Sequence, residues 1–147
     1  MTMSKEFELI SHTADQQIRV YGRSLEELYR HALKGMFVSI HPRGPYITYT
    51  PEFTCTKYTA EHTITLQAET PELLLIDFLS DCLYLSDVHN QAYFDAQFLI
   101  LTSTQLQAII FGTEITGFST EIKAVTYHTI EIKNINGLWQ TDIVFDI

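Results

Sequence analysis

Hydrophobic and polar positions alternate most regularly in the stretch between residues 121 and 147. Such a two-residue period is typical of a strand with one buried face. On the first strand that face holds Ile122, Ala124, Thr126, His128, Ile130 and Ile132. Asn136-Gly137 then predicts a type I′ hairpin turn. The return strand places Trp139, Thr141, Ile143, Phe145 and Ile147 on its inner face. We therefore predict a β-hairpin whose second strand runs to Ile147.

Two helices are predicted from cap residues and apolar spacing. Ser24 with Glu27 three residues later forms a capping-box pattern, and apolar residues then recur every three or four positions up to Ile40. Thr70 as cap and Pro71 at the first helical position begin the second helix. Its residues 73–85 are apolar nearly all round, so we expect this helix to be central and buried on most sides.

Six shorter strands complete the predicted elements. They span residues 7–10, 16–21, 53–58, 63–67, 93–101 and 105–111. The order of strands, helix, strands, helix and strands is typical of an α+β fold, here a mostly antiparallel sheet with two main helices packed on it. We expect the C-terminal hairpin to complete that sheet. A chain of 147 residues suits a single domain, residues 1–147.

Charge and composition narrow the classes of function. The formal net charge is −9, and the nine Lys and Arg residues form no cluster. Nucleic-acid binding draws most of its affinity from basic side chains, so direct RNA or DNA binding is disfavoured. The negative electrostatic field of the chain instead favours a basic protein or a metal cation as its partner. No apolar run approaches the ~20 residues of a membrane span, and residues 1–6 do not resemble a signal peptide. Cys55 and Cys82 indicate reduced thiols in a cytoplasmic protein, with a single disulfide as the alternative.

Asp15, Asp146 and the Ile147 carboxylate are the first candidates for chemistry. Asp15 precedes an early strand and Asp146 ends the last one. The sequence does not show that they meet, but the two acids would come together if these terminal strands are adjacent. Two carboxylates ~4 Å apart repel by roughly 4 kcal/mol at an effective dielectric constant of 20, and a divalent cation removes that cost. Oxygen-only ligands select calcium, magnesium or manganese. The alternative is an exposed aspartate beside an ordinary terminus.

Two histidine-containing segments are weaker candidates. His12 lies three residues before Asp15, which is compatible with acid–base chemistry. His128 falls on the apolar face, where a hydrogen-bonded core histidine is the commoner role. Lys123 and Tyr127 fall on the opposite face, which is either a partner surface or an ordinary solvated face. No nucleophile, phosphate-loop or zinc motif is present, so the residues alone do not support catalysis.

Three motifs, in this order, carry a resemblance to a known family. They are His12-Thr13-Ala14-Asp15 with Ile18-Arg-Val-Tyr-Gly22 and Ser24-Leu-Glu-Glu-Leu28, then Ile122-Lys-Ala-Val-Thr-Tyr-His128, and finally Val144-Phe-Asp-Ile147. Together with the middle helix, residues 74–85, the chain resembles the archease family from residue 7 to residue 147. The resemblance implies an accessory protein, not itself an enzyme, for an RtcB-type RNA ligase. Such a protein promotes guanylylation and multiple turnover of the ligase in tRNA splicing and RNA repair, where the ligase uses GTP and a divalent metal.

The resemblance also implies roles for individual residues. Asp15, Asp146 and Ile147 match the metal ligands of the family, with calcium the expected ion and magnesium or manganese as alternatives. His12, Lys123, Tyr127 and His128 match motif positions and are candidates for contact with the partner or for support of the metal ligands. The chain departs from the family at Phe78, where Trp is usual, and at Asp81, where Glu is usual; Asp81 is therefore a weaker candidate of the same kind. Two rival hypotheses are a metal-dependent hydrolase with His12 or His128 as base, and a chaperone-like binding module.

Overall fold

The computed structural model describes residues 5–11, 15–127 and 130–147. Within these ranges the chain forms two helices and ten strands. In chain order they are β1 (Phe7–Ser11), β2 (Gln16–Gly22), α1 (Leu25–Ser39), β3 (Ile47–Thr48), β4 (Thr54–Cys55), β5 (Ala60–Gln67), α2 (Pro71–His89), β6 (Gln91–Leu101), β7 (Gln105–Glu114), β8 (Ala124–Val125), β9 (Lys133–Ile135) and β10 (Leu138–Asp146).

The strands form two main antiparallel sheets. The first has the order β1-β2-β10-β8, with β9 also paired to β10, and the second has the order β5-β7-β6. A separate two-stranded ribbon joins β3 and β4. The α+β class with antiparallel sheets is therefore confirmed. The expectation that the C-terminal hairpin completes one common sheet is wrong, because β10 pairs with β2 and with neither β6 nor β7.

Both helices begin at the predicted caps. The Ser24 hydroxyl accepts a hydrogen bond from the Glu27 backbone N–H at 3.0 Å, and the Thr70 hydroxyl accepts one from the Leu73 N–H at 3.1 Å. Each bond satisfies one of the N–H groups that a helix leaves without an internal partner in its first turn. Helix α1 then packs against β2 of the first sheet and β6 of the second, so its apolar face joins the two sheets into one core.

Helix α2 is less evenly buried than its sequence predicts. Its first half is enclosed, and Phe78 is fully buried against the rings of Tyr29 and Phe98, with centroids 6.2 and 5.7 Å away. Along its second half one side faces solvent and carries Asp81, Tyr84, Asp87 and Val88. The prediction of burial on most sides therefore holds only for the N-terminal half of the helix.

The predicted C-terminal hairpin is present but much shorter. Asn136 and Gly137 have φ angles of 53° and 86°, and Ile135 pairs with Leu138 across the turn. The first strand is broken, however, into β8 and β9. In β8 the inner face is also the reverse of the predicted one: Val125 is buried opposite Phe145, and Ala124 is exposed.

Two hydrogen bonds join the residues between β8 and β9 to α2. The Tyr127 hydroxyl donates to Asp77 Oδ1 at 2.7 Å, and the Ile132 backbone N–H donates to Glu72 Oε2 at 3.0 Å. Hydrogen bonds to a charged acceptor are stronger than those between neutral groups. Two helix carboxylates thus hold the chain on either side of the break, in place of a continuous ladder along β10.

Candidate functional site

The end of the β2–β10 pair brings the predicted acids together. The last pair in the register is Gln16 with Phe145, and Asp15 and Asp146 each lie one position beyond it. Oδ1 of Asp15 is buried, whereas the Asp146 side chain and Ile147 are exposed. The pairing of β2 with β10 therefore places Asp15 and Asp146 at neighbouring strand ends, and their role as a site stays a prediction.

The backbone at this end is fixed from both sides. Phe145 pairs with Gln16 of β2 and with Val125 of β8, and the Lys123 backbone N–H donates to the Asp146 carbonyl oxygen at 2.7 Å. Gln16 in turn donates from Nε2 to the carbonyl oxygen of Ser39 at the end of α1. Asp146 thus lies at the end of β10, which is hydrogen-bonded to β2 on one side and to β8 on the other.

The chemistry of these donors suits a hard divalent cation. Asp15, Asp146 and the Ile147 carboxylate offer only oxygen atoms, the ligand type that calcium and magnesium prefer. Across the described part of the chain, no group of three His, Cys, Asp or Glu side chains is placed to hold a metal ion. A cation at this end would therefore depend on the terminal carboxylate as its third ligand. The metal site itself stays a prediction.

A groove lies next to this end of the sheet, between α2 and the segment 118–127. It has a volume of about 610 Å³, and we call it the α2 groove. Its lining consists of Ile40, Ser80, Leu83, Tyr84, Ser86, Asp87, Phe118, Glu121, Ile122, Lys123, Ala124, Val125 and Tyr127.

An acidic side chain of α2 binds one of the residues that line this groove. Asp77 accepts the hydrogen bond of the Tyr127 hydroxyl, and this bond raises the pKa of Tyr127 above its ordinary value. Asp81 follows one helical turn later. Partial burial, and then the charge of Asp77, raise the pKa of the Asp81 carboxyl.

The predicted site residues therefore fall into two adjoining places. Asp15, Asp146 and Ile147 lie at the end of the β2–β10 pair, whereas Lys123 and Tyr127 line the α2 groove. Asp81 lies on α2, outside the residues that line the groove. Lys123 belongs to both places, since its backbone bonds to Asp146. His12 and His128 lie outside the described residues.

The sequence pattern missed Tyr84 and Phe118, which line the groove, and Asp77, which binds Tyr127. Asp77 and Tyr84 stand four residues before and three after Asp81, a helical spacing that could have indicated their shared face. Phe118 lies in an irregular segment, and no pattern pointed to it. The two cysteines are free, as predicted, and burial raises the pKa of the Cys82 thiol, which makes it a poor nucleophile.

A comparison with protein-family models matches residues 7–147 to the Archease protein family (MTH1598/TM1083). The chain belongs to the archease family. It is 30% identical to protein archease of Methanosarcina mazei, with 99% of each chain covered. It is also 30% identical to protein archease of Thermoplasma volcanium, covering 96% of this chain and 98% of that one.

Solved structures agree with the fold of this archease. The solution structure of Methanobacterium thermoautotrophicum protein 1598 aligns with a TM-score of 0.72 at 25% identity, covering 96% of this chain and 98% of the other. A crystal structure of an archease from Thermotoga maritima, described as a possible chaperone, aligns with a TM-score of 0.61 at 24% identity, covering 100% and 99%. Neither helix in the described part of this archease is long and apolar enough to cross a membrane.

Proposed function

We propose that this archease is an accessory protein of an RtcB-type RNA ligase and is not itself the ligase. In this role it promotes guanylylation of the ligase and its multiple turnover in tRNA splicing and RNA repair, in the cytoplasm. It acts through the ligase and binds no RNA directly. The observation that carries the proposal is the position of Asp15 and Asp146, one step beyond the last pair of β2 and β10.

The proposal includes a divalent cation at this end, with calcium expected and magnesium or manganese as alternatives. The cation would supply the positive charge that two neighbouring carboxylates require. The side chains of Asp15 and Asp146 would hold it together with the Ile147 carboxylate. Exposure of Asp146 and Ile147 supports an approach by a partner from the solvent side.

Multiple-turnover RNA ligation tests the activator role. The cognate ligase, GTP and manganese are combined with substoichiometric archease, either wild type, Asp15→Ala or Asp146→Asn. We expect wild type to raise the number of turnovers per ligase and both variants to fail. Asp142→Asn is the matched control, because Asp142 lies on the same strand and is held by Arg19, with 2.8 and 3.1 Å between their atoms. An unchanged rate with wild type would refute the activator role.

A separate measurement addresses the cation without the ligase. A ligand that binds only the folded state stabilises it by about 2.7 kcal/mol at a free concentration of 100 times Kd. Calcium titrated during thermal unfolding should therefore raise the Tm of wild type and of Asp142→Asn, but not that of Asp15→Ala. The protein must carry no C-terminal tag, since an extension converts the Ile147 carboxylate to an amide. An equal calcium response in Asp15→Ala would exclude Asp15 as a ligand.

One rival hypothesis has an observation in its favour. A chaperone-like module needs an exposed apolar surface, and the α2 groove provides one. Such a module would protect unrelated unfolding proteins from aggregation and would do so equally well after Asp15→Ala. Light scattering of a heated client protein separates it from the activator. The hydrolase alternative rests on His12 and His128, which lie outside the described residues.

A further inference from the structure

The α2 groove exposes aromatic side chains above an apolar floor. Tyr84 on α2 is 68% exposed, and Phe118 and Tyr127 on the opposite wall are 39% and 57% exposed. Beneath them lie the buried side chains of Ile40 and Val125. Exposed aromatic side chains above an apolar floor can pack against the apolar side chains of another molecule.

The charges around the groove are predominantly negative. Asp87 on α2 and Glu121 on the other wall line the groove, and Asp77 and Asp81 lie further towards the N-terminus of the same helix. Among the described residues that line the groove, Lys123 is the one cation. The chain as a whole carries a formal charge of −9. An occupant with negative charge, such as a nucleic acid or an acidic lipid surface, is repelled here, and a basic one is attracted.

The hydrogen bond between Tyr127 and Asp77 gives the groove a fixed width on one side. It ties the segment 118–127 to α2 across the cleft, at 2.7 Å between the hydroxyl oxygen and the carboxylate oxygen. On the other side Val125 is held to Phe145 by the β8–β10 pairing. The two walls are therefore anchored to the core, and the groove is a formed surface that an occupant can enter without rebuilding it.

We propose that the α2 groove docks a basic amphipathic segment of a partner protein. Its apolar side chains pack on Tyr84, Phe118 and Tyr127. Its Lys and Arg side chains lie beside the carboxylates of the two walls, which are Asp87 and Glu121. Helix-in-groove binding combines these two kinds of contact. The inference goes beyond the proposed function, since it requires neither the ligase nor the cation.

The α2 groove lies next to the strand end that carries the candidate carboxylates. Lys123 lines the groove and its backbone N–H bonds to the Asp146 carbonyl oxygen at 2.7 Å. A segment held in the groove therefore lies beside the end of β10 that carries Asp146 and Ile147. The partner's remaining surface would be brought next to the carboxylates.

Selection from a phage-displayed library of random peptides on the immobilised full-length chain tests the proposal. We expect the selected peptides to be rich in Lys and Arg and to carry aromatic or aliphatic residues at helical spacing. Their binding, measured by fluorescence anisotropy, should weaken as salt rises. Tyr84→Ser and Asp87→Lys should each weaken it by at least about tenfold, the loss typical of a central contact.

Matched controls lie outside the groove. Leu99→Ser removes an exposed apolar side chain from β6, and Glu52→Lys reverses a charge in an exposed loop. Neither should change the affinity. Since Tyr84 and Asp87 are exposed, their variants should also unfold at the wild-type temperature, which confirms that a lost affinity is not lost folding.

Four results would overturn the proposal. The first is a selection that yields no binding peptides, and the second is one whose peptides are acidic or uncharged. The third is binding that Tyr84→Ser and Asp87→Lys leave unchanged. The fourth is a concentration-dependent dimer in analytical ultracentrifugation that Asp87→Lys dissociates, because the occupant would then be a second copy of this chain.

Discussion

Phe145 packs β10, the strand that ends at Asp146, against the core. We therefore predict a measurable loss of stability when its side chain is removed. The side chain is fully buried, and its backbone pairs with Gln16 on one side and Val125 on the other. Phe145→Ala removes the ring and leaves a cavity, which costs roughly 3–5 kcal/mol of unfolding free energy. At about 0.05–0.15 kcal/mol per residue, a chain of 147 residues has roughly 7–22 kcal/mol in total. The variant should therefore fold, with a clearly reduced stability.

Urea unfolding followed by far-UV circular dichroism measures this loss. With an m-value of about 2 kcal/mol/M, the midpoint should fall by roughly 1.5–2.5 M. Val144→Ala is the control on the same strand, because Val144 lies half-buried on the outer face and leaves no enclosed cavity. Its cost should stay near about 1 kcal/mol. A midpoint shift below about 0.5 M for Phe145→Ala would show that the ring is not packed in the core, and the placement of Asp146 would lose its support.

Three further changes test other parts of the structure. Phe78→Trp should lower stability by roughly 1–3 kcal/mol, because the rings of Tyr29 and Phe98 already fill the space around Phe78; a raised Tm in calorimetry would contradict this. Gly137→Ala should cost about 1–2 kcal/mol in urea unfolding, since φ at this position is 86°; an unchanged midpoint would refute the assigned turn. Asp81 has a raised pKa in the folded state, so the folded chain binds its proton more tightly and the contribution of Asp81 to stability falls as pH rises above the ordinary value of 3.8. Asp81→Asn should lack this decline and gain at most about 0.5 kcal/mol at pH 7, and parallel pH profiles of Tm for the two proteins would disprove the assignment.

Features decided by neighbouring residues could be predicted from the sequence. The caps at Ser24 and Thr70 act over three residues, and the Asn136-Gly137 turn acts over two, so their signals do not depend on the rest of the fold. The pairs β1–β2 and β6–β7 also join strands that follow each other in the chain. Such local elements appeared close to their predicted bounds.

Features decided by distant contacts could not be predicted in the same way. Alternation along a strand indicates which residues share a face, but it does not indicate which strand becomes the neighbour, so the division into two sheets was missed. Between β8 and β9 the chain bonds instead to Asp77 and Glu72 of α2, which lie 50 and 60 residues away from their partners along the chain. The strand β3 was also missed, because two residues are too short for a periodic signal.

The candidate site was predictable in part. Asp15 and Asp146 were candidates from their positions at the ends of an early strand and the last strand, and the residue motifs pointed to Lys123 and Tyr127. The pairing that makes these two ends neighbours required the structure. That Lys123 and Tyr127 line one groove with Tyr84 and Phe118 required the structure, since α2 and the segment 118–127 meet only through tertiary packing.

The position of β10 in the first sheet has a consequence for biosynthesis. β10 lies between β2 and the short strands β8 and β9. It is also the last of these strands to be synthesised. At roughly 5–20 residues per second, β1 and β2 leave the ribosome several seconds before the strand that must join them. The first sheet can therefore form completely only after β10 has been translated. Until then, only α1 or cellular chaperones can shield the apolar face of β2 from water. A nascent chain cut short before residue 138 would carry no assembled carboxylate end, so a partner that recognises this end would engage only chains in which the sheet has closed.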